Sequence, residues 1–378
     1  MKITKVEAIP TVIPHEAAYW DLGCNVSVIS TVVSVETDEG VTGWGYVGPN
    51  LPPPPRVEAT IETEIQPLIL GESPYDVEKI VAKYLNGFPA KWTLETTTMA
   101  MAGVETACWD IIGQSLGAPL YKLIGGKFRS QVEIFATMRY HEPVGMDIVA
   151  ADAAKVVEQG YRTIMIKEVE PGRTVEVVKT IRKAVGSKIQ LRVDPNQAWS
   201  IATAKRVIKR LEPYDLQCVE QPIFRWDIDG LAHLRQAVGV PIMLDEGATT
   251  IYKVFEAVKK EAVDIIGIDI VRVGGISAFK KAAAIAEAAG IPVVMHWTGD
   301  GGIGTAAGLH VAVSTPNLQL AHHIGLDDSL IKQSFQHELP YIEAPEGPGL
   351  GIEVDKDQLA RYSMKGRNNE IPDAYKKV

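Results

Sequence analysis

Short apolar runs that each end in a polar residue recur through the middle of the sequence at a nearly constant interval. The run QLRV ends at Asp194, and the run LQCV ends at Glu220. The interval between these ends, roughly 26 residues, fits one strand, one helix and two loops, which is the repeat of a (β/α)8 barrel. The parallel strands of such a barrel point their carboxyl ends at one opening, the mouth, where barrel enzymes place their active sites. The spacing therefore predicts that these two carboxylates converge.

The same pattern extends to eight units. The predicted strands end near Thr137, Lys167, Asp194, Glu220, Glu246, Asp269, His296 and His323. Amphipathic helical patterns fill the gaps between them, as at 147–159, 174–185, 201–211 and 277–289. Eight such units close a barrel. We therefore predict an α/β fold built on a TIM-like (β/α)8-type barrel.

The first third of the chain has a different pattern. Residues 2–13, 26–36 and 41–48 alternate as β-strands do, with a turn at 37–40 before the third, so we predict an antiparallel meander followed by helices. The 378 residues exceed the roughly 250 that a barrel needs. We predict an α+β domain over 1–126, the barrel over 127–324, and a C-terminal segment, 325–378, that packs back on the first domain.

Charge and composition narrow the classes of partner. The formal net charge is −9 and no basic run occurs, so we expect no nucleic-acid partner. No apolar run approaches the roughly 20 residues of a membrane span, and the N-terminus lacks a signal peptide's apolar core. The three cysteines (Cys24, Cys108 and Cys218) are few and scattered, which is typical of a reducing compartment. We expect a cytoplasmic protein with no membrane partner.

Carboxylates at the ends of neighbouring strands predict a metal site. Two unpaired anions in a partly dry cleft repel each other, and a bound divalent cation removes that repulsion. All-oxygen ligands favour Mg²⁺, with Mn²⁺ as the alternative. An Asp-Pro turn is the competing interpretation of Asp194, and a salt bridge to an arginine is that of Glu220. Asp245 and Glu246 follow the next strand; because neighbours on a strand point opposite ways, one of the two is expected to bind the metal.

Acid/base candidates end the other strands. Lys167 precedes Asp194 by one repeat of the pattern, and a lysine beside a metal-bound substrate can serve as a base. His296 follows Asp269 by one repeat, and a carboxylate next to a histidine fixes its tautomer and raises its basicity. The eighth strand ends in His322 and His323, of which one should face the mouth.

This set of residues resembles the enolase superfamily, and within it the mandelate racemase/muconate lactonizing enzyme family. The resemblance rests on the order Lys167, Asp194-x-Asn196, Glu220, Asp245-Glu246, Asp269-x-x-Arg272-x-Gly274-Gly275 and His296. The segment GVETACWDIIGQSLGAPLYKLIGG (103–126) is similar to the one that leads from that family's capping domain into its barrel. The Asp269–His296 pair is closest to the mandelate racemase branch.

The resemblance implies removal of a proton α to a carboxylate, with a metal stabilising the enolate. It implies that Asp194, Glu220 and either Asp245 or Glu246 hold the metal. Asp245 matches the muconate-cycloisomerase branch, whereas the Asp269–His296 pair points to the branch that uses a glutamate. Lys167 and His296 would then be the acid/base groups on opposite faces of the substrate.

Two departures from the family pattern affect the expected chemistry. Met165 stands where the family usually has the first lysine of Lys-x-Lys, a residue that lies near the substrate carboxylate. His322 falls where the branch usually has a glutamate. As a hydrogen-bond donor, His322 would suit protonation of a leaving hydroxide, with His323 as the competitor for that place.

These features lead to a ranked expectation of function. We expect a Mg²⁺-dependent dehydratase (lyase) that converts a hydroxy acid or acid sugar to a 2-keto acid. A racemase, epimerase or cycloisomerase on the same scaffold is the alternative, and a non-catalytic protein that binds small carboxylates is the alternative of another class. We expect a small-molecule carboxylate substrate and a homo-oligomer. The substrate-binding candidates are Asn196, Tyr19, Trp20, Trp297 and His323.

Overall fold

The computed structural model describes residues 1–13, 28–48, 53–87, 94–140, 144–296 and 301–365. Its first sheet is antiparallel and three-stranded, as the meander pattern predicted. The strands are β1 (Ile3–Ile13), β2 (Val28–Thr37) and β3 (Thr42–Val47), and β2 lies between the other two.

Helices pack on this sheet to form the first domain. They are α1 (Pro54–Thr60), a π-helical turn (Ile61–Ile65), α2 (Gln66–Ile69), α3 (Val77–Leu85), α4 (Leu94–Leu116) and the short α5 (Leu120–Leu123). Glycines allow α4 to lie directly on β3. A Cβ atom at Gly45 would stand 1.8 Å from the carbonyl oxygen of Gly103, so only glycine permits this approach.

A curved parallel sheet with outer helices forms the second domain. After the two-residue β4 (Val132–Glu133), its strands are β5 (Ala136–Arg139), β6 (Thr163–Lys167), β7 (Gln190–Asp194), β8 (Cys218–Glu220), β9 (Ile242–Leu244), β10 (Ile265–Ile268) and β11 (Val293–Met295). Its helices are α6 (Met146–Glu158), α7 (Pro171–Val185), α8 (Ile201–Leu211), α9 (Ile228–Ala237), α10 (Ile251–Lys259), α11 (Ile270–Val273), α12 (Ile276–Ala288) and α13 (Ile303–Ser314).

The segment around His322 takes the eighth position and closes the barrel. On one side the backbone N–H of His323 donates to the carbonyl of Met295 in β11. On the other, the N–H of Phe135 donates to the carbonyl of His322, and the N–H of His322 donates to the carbonyl of Glu133. Both edges of the seven-stranded sheet are therefore joined, and the predicted TIM-like barrel is confirmed.

Side chains fill the barrel interior below the mouth. The apolar members of this layer are Phe135, Met165, Cys218, Met243, Ile265, Val294 and Ala321. Arg192 lies among them, fully buried, with its guanidinium 4.9 Å from the ring centre of Phe135. Successive strand residues face opposite ways, so residues two positions beyond this layer also point inward, closer to the mouth.

The C-terminal segment contacts the first domain at Asp110 of α4. One carboxylate oxygen of Asp110 accepts from the N–H of Leu350 (2.8 Å), and the other accepts from the N–H of Trp44 in β3 (3.0 Å). The remaining elements of this segment are β12 (His337–Glu338), β13 (Tyr341–Ile342) and α14 (Lys356–Tyr362). Within the described ranges, no helix has the length and apolar character needed to cross a bilayer.

Candidate functional site

Lys167 and Asp194 lie side by side at the ends of β6 and β7. The parallel ladder pairs them, and the Lys167 Nζ is 2.5 Å from Asp194 Oδ2. Asn196, two residues beyond the strand, donates from its backbone N–H to Asp194 Oδ1 (2.8 Å) and from its side-chain amide to Asp194 Oδ2 (3.0 Å). The same amide donates to Glu246 Oε1 (3.1 Å). Asn196 therefore joins the carboxylates that follow two different strands.

Glu220, Asp245 and His296 form a tight buried cluster. The Nε2 of His296 lies 3.4 Å from Glu220 Oε1 and 3.4 Å from Asp245 Oδ2. One candidate ligand atom from each residue lies within 4.8 Å of the other two. Glu220 and Asp245 are fully buried. Burial and the charge of Asp194 raise the pKa of Glu220 to about 7.

The donor atoms of this cluster fit a divalent cation. Both oxygens of Glu220, Oδ2 of Asp245 and Oε2 of Glu246 are buried with no hydrogen-bond partner among the described residues. Buried carboxylate oxygens without partners are costly, and a hard cation takes such oxygens as ligands. The competing interpretation of Glu220, a salt bridge to an arginine, is not seen among the described side chains. Asp245, in contrast, does form a salt bridge to an arginine, because Arg272 Nη1 donates to its Oδ1 (2.9 Å).

The carboxylate of Asp245 therefore lies in the cluster with one oxygen held and one available. Burial opposes ionisation of Asp245, but the charges of Arg272 and His296 outweigh it and lower the pKa of this carboxyl. Gln221 fixes the turn that carries Asp245, because its side-chain oxygen accepts from the N–H groups of Asp245 (3.1 Å) and Gly247 (3.0 Å). Gln221 was not among the sequence-predicted residues, although it directly follows Glu220.

Asp269 does not hold His296 in the way the sequence predicted. Its Oδ1 accepts from the N–H groups of Val271 (2.7 Å) and Arg272 (3.0 Å), so Asp269 caps α11. The free N–H groups of a helix that begins directly after β10 attract this carboxylate. His296 Nδ1 has no hydrogen-bond partner among the described residues. Burial alone would lower the pKa of His296, but Asp245 and Glu220 outweigh it and raise that pKa to about 8.

The two histidines of the eighth position face opposite ways. His322 was expected to face the site as a catalytic residue, but the structure turns it away. His322 Nδ1 accepts from the backbone N–H of Met295 (3.1 Å), away from the cluster, and burial lowers the pKa of His322 to about 3. His323 faces inward: its ring centre is 5.2 Å from that of His296, and its ring stacks on Phe135 at 5.0 Å. Burial, followed by the charge of His296, holds the pKa of His323 well below its usual value.

Arg139 lies beside Lys167 at the end of the neighbouring strand, and the sequence prediction did not include it. It is the last residue of β5, and the parallel ladder pairs it with Lys167. The prediction ended this strand near Thr137, two residues too early, so the arginine fell beyond the predicted strand. Tyr19, Trp20 and Trp297, three of the substrate-binding candidates, lie outside the described residues.

Comparisons with known proteins agree with this architecture. Residues 3–125 match the family described as mandelate racemase / muconate lactonizing enzyme, N-terminal domain. Residues 148–358 match the family described as enolase C-terminal domain-like.

Among the relatives is an N-succinyl-L-Arg/Lys racemase from Bacillus cereus, 30% identical over 96% of this chain and 98% of the relative. A crystal structure of that racemase superposes with a TM-score of 0.87 at 27% identity, covering 96% of this chain and 98% of the other. A hydrophobic dipeptide epimerase from Enterococcus faecalis is 35% identical over 88% of this chain and 93% of its own. A D-xylonate dehydratase from Haloferax volcanii is 28% identical over 89% of this chain and 85% of the dehydratase.

Both domain families match, and the relatives cover nearly the whole chain. The chain therefore belongs to the mandelate racemase/muconate lactonizing enzyme family of the enolase superfamily.

Proposed function

We propose that this chain is a divalent-metal-dependent enzyme that moves the proton α to a substrate carboxylate, with Lys167 and His296 as its two acid/base groups. The observation that carries the proposal is their placement. Lys167 ends β6 and His296 follows β11. The four strands between β6 and β11 include those that bring Asp194, Glu220 and Asp245 to the mouth. A substrate carboxylate held among those carboxylates would thus have one base on each side.

The metal would be held by Glu220 and Asp245, with Asp194 or Glu246 as the further ligand. A hard dication there would stabilise the charge that develops on the substrate carboxylate as the proton leaves. Mg²⁺ suits an all-oxygen set, and Mn²⁺ is the alternative. Lys167 Nζ donates a hydrogen bond to Asp194 Oδ2 at 2.5 Å; a cation that engages Asp194 would weaken this contact and leave the lysine amine for the substrate.

Transfer of a proton from one face of the α carbon to the other, as in a racemase or epimerase, is the reaction that the arrangement supports best. The expectation of dehydration named His322, with His323 as competitor, as donor to a leaving hydroxide. The structure turns His322 away from the cluster and turns His323 inward, where burial holds its pKa well below the usual value. Two bases on opposite sides are sufficient for removal and return of one proton. The names of the Bacillus and Enterococcus relatives, a racemase and an epimerase, are consistent with it.

Dehydration of a hydroxy acid or acid sugar to a 2-keto acid is the second candidate. Its support is the position of His296, which follows β11 across the mouth from Lys167 and could protonate a hydroxide that leaves from the β carbon. The dehydratase from Haloferax among the relatives is in keeping with this outcome.

The test is proton exchange in D₂O with Mg²⁺ over a library of N-acyl amino acids, dipeptides, hydroxy acids and acid sugars, followed by NMR. Deuterium at the α carbon without loss of water indicates a racemase or epimerase, and a 2-keto product indicates a dehydratase. If no compound exchanges or reacts while the protein binds Mg²⁺, the alternative of a non-catalytic carboxylate-binding protein replaces the proposal.

Single-base variants test the two acid/base assignments. Lys167→Ala and His296→Asn should each abolish exchange of one stereochemistry and retain some exchange of the other, because each removes the base on one face. Lys188→Ala, which removes an exposed lysine after α7, is the matched control and should exchange both at the wild-type rate. Full activity in both site variants would contradict the two-base assignment.

A further inference from the structure

The mouth of the barrel is divided by charge. Its acidic side chains end or follow β7, β8, β9 and β10: Asp194, Glu220, Asp245, Glu246 and Asp269. The two strands on the other side of β7 end in cations, Arg139 on β5 and Lys167 on β6. Arg272, the cation on the acidic side, is held by Asp245. A basic corner therefore adjoins the carboxylate cluster.

The strand register fixes where Arg139 points. Residues paired across a parallel ladder face the same side of the sheet. Arg139 of β5 pairs with Lys167 of β6, and Lys167 pairs in turn with Asp194 of β7. Lys167 points inward, since it contacts the fully buried Asp194. Arg139 must then also face the mouth. Its charge acts on Lys167 and on His323, two buried side chains of the interior, which agrees with this direction.

The next inward-facing position on β6, below Lys167, does not add a cation to this basic corner. Met165 precedes Lys167 by two residues and faces inward, where it is 1% exposed within the apolar layer below the mouth. Arg139 is only half-buried, so part of its side chain is accessible from the space above the layer. Arginine, with a planar fork of donors, is suited to a bidentate contact with a carboxylate.

We propose that Arg139 binds a second carboxylate of the substrate, distal to the one that reacts, and so selects dicarboxylic substrates. This rests on the proposed function for the role of the reacting carboxylate. Three strand spacings separate β5 from β8, roughly 14 Å along the curved sheet. A group bound at Arg139 therefore lies several bonds from a carboxylate held at the Glu220–Asp245 cluster.

The test compares the binding of diacids with that of their monoamides. Succinate, glutarate and adipate, and the monoamide of each, are titrated calorimetrically into the Mg²⁺-loaded wild type, Arg139→Gln and Arg139→Lys. The wild type should bind at least one diacid about tenfold or more tightly than its monoamide, the effect of one charge-assisted contact. Arg139→Gln should lose that preference and keep its affinity for the monoamide, and Arg139→Lys should retain part of it.

The control is Arg206→Gln, which removes an exposed arginine from α8 and should leave the preference unchanged. Equal binding of diacids and monoamides by the wild type, or no binding of either, overturns the proposal. So does an Arg139→Gln variant that weakens both ligands equally, since that is the result of general damage to the site. For any dicarboxylic substrate found by D₂O exchange, Arg139→Gln should raise KM more than it lowers kcat.

The outcomes also separate this proposal from the proposed function. A diacid preference that depends on Arg139, without α-proton exchange on any compound, supports the anion site and contradicts the enzyme assignment. Exchange on a dicarboxylate with a KM that is unchanged in Arg139→Gln supports the enzyme assignment and overturns the anion site.

Discussion

His310 is a buried histidine whose hydrogen bonds define its tautomer. Its Nδ1 accepts from the backbone N–H of Tyr121 (3.2 Å), so Nε2 carries the proton and donates to the carbonyl of Leu350 (3.0 Å). Burial lowers the pKa of His310 to about 4. The imidazole is therefore neutral at physiological pH, and it joins α5, α13 and the C-terminal segment.

Stability should fall in acid because His310 must stay neutral in the folded protein. Its folded pKa of about 4 lies below the ordinary value of 6.5, so the unfolded chain takes up the proton first. The contribution of the neutral His310 side chain to the free energy of unfolding is complete above pH 6.5. It is lost as the pH falls toward 4, and the loss is roughly 3 kcal/mol at most. His310→Gln should flatten the pH dependence of the free energy of unfolding over this range, measured by urea titration.

The matched control is His233→Gln, in which the histidine replaced is exposed on α9. It should keep the wild-type pH dependence. An equally steep loss of stability in His310→Gln and the wild type would show that other groups account for the acid sensitivity.

Some single residues could be assigned from the sequence and others could not, for one geometric reason. The nearly constant spacing of the polar residues identifies strand ends, and β6, β7 and β8 do end at Lys167, Asp194 and Glu220. Adjacent residues on a strand face opposite sides, so a one-residue uncertainty in register exchanges inside and outside. The pair His322 and His323 was ambiguous for this reason. The capping of α11 by Asp269 depends on a helix of four residues, which is too short to recognise from periodicity.

Helices α4 and α12 are joined across the domain boundary by Glu105. This carboxylate is 1% exposed and accepts hydrogen bonds from the N–H groups of Ile276 (2.8 Å) and Ser277 (2.9 Å) at the start of α12. It also accepts from the hydroxyl of Ser277 (2.6 Å) and the indole of Trp109 (2.9 Å). Because α12 begins shortly after α11 ends, Glu105 also fixes the turn that follows Arg272.

Glu105→Ala should therefore destabilise the protein strongly. The variant leaves several buried donors without an acceptor, and we expect a loss of about 3 kcal/mol or more in the free energy of unfolding. The natural control is Glu78→Ala. Glu78 of α3 also reaches α12, where it pairs with Lys281 at 2.7 Å, but both side chains are at least half exposed. That pair should contribute about 0.5 kcal/mol or less.

Urea unfolding of both variants distinguishes a buried cap from an exposed ion pair between the same two domains. Losses of similar size in the two variants would contradict the role given to Glu105. The sequence indicated a helix over Thr96–Leu116, and α4 covers it, but the partner of Glu105 is 171 residues away. Side-chain contacts over such a separation depend on how the domains dock, which periodicity does not encode.

The barrel as a whole has a buried concentration of negative charge at its mouth. Carboxylates from β7, β8 and β9 meet there, and four of their oxygens have no hydrogen-bond partner among the described residues. Each of these strands is fixed by its apolar neighbours, so the carboxylates cannot separate without disturbing the sheet. A divalent cation would offset this repulsion and join three strands, so metal binding and the stability of the barrel should be linked.

Addition of Mg²⁺ should therefore raise the melting temperature of the chelator-treated protein, by a few degrees once the ion is well above its Kd. The shift should continue to grow with the logarithm of Mg²⁺ concentration, as expected for an ion that binds only the folded state. Glu220→Gln should remove the shift, because Glu220 is a proposed ligand and both of its oxygens are buried without a hydrogen-bond partner among the described residues. Differential scanning calorimetry of the two proteins across a Mg²⁺ series measures both effects.

The same variant should behave differently without metal. Glu220 is fully buried and its pKa is raised to about 7, so ionising it in the folded protein is costly. A neutral glutamine removes that cost, and chelator-treated Glu220→Gln should melt no lower than chelator-treated wild type. Glu338→Gln, which changes an exposed carboxylate, should keep the full Mg²⁺ response. A wild-type melting temperature that is indifferent to both Mg²⁺ and Mn²⁺ would mean that the three strands do not share an ion.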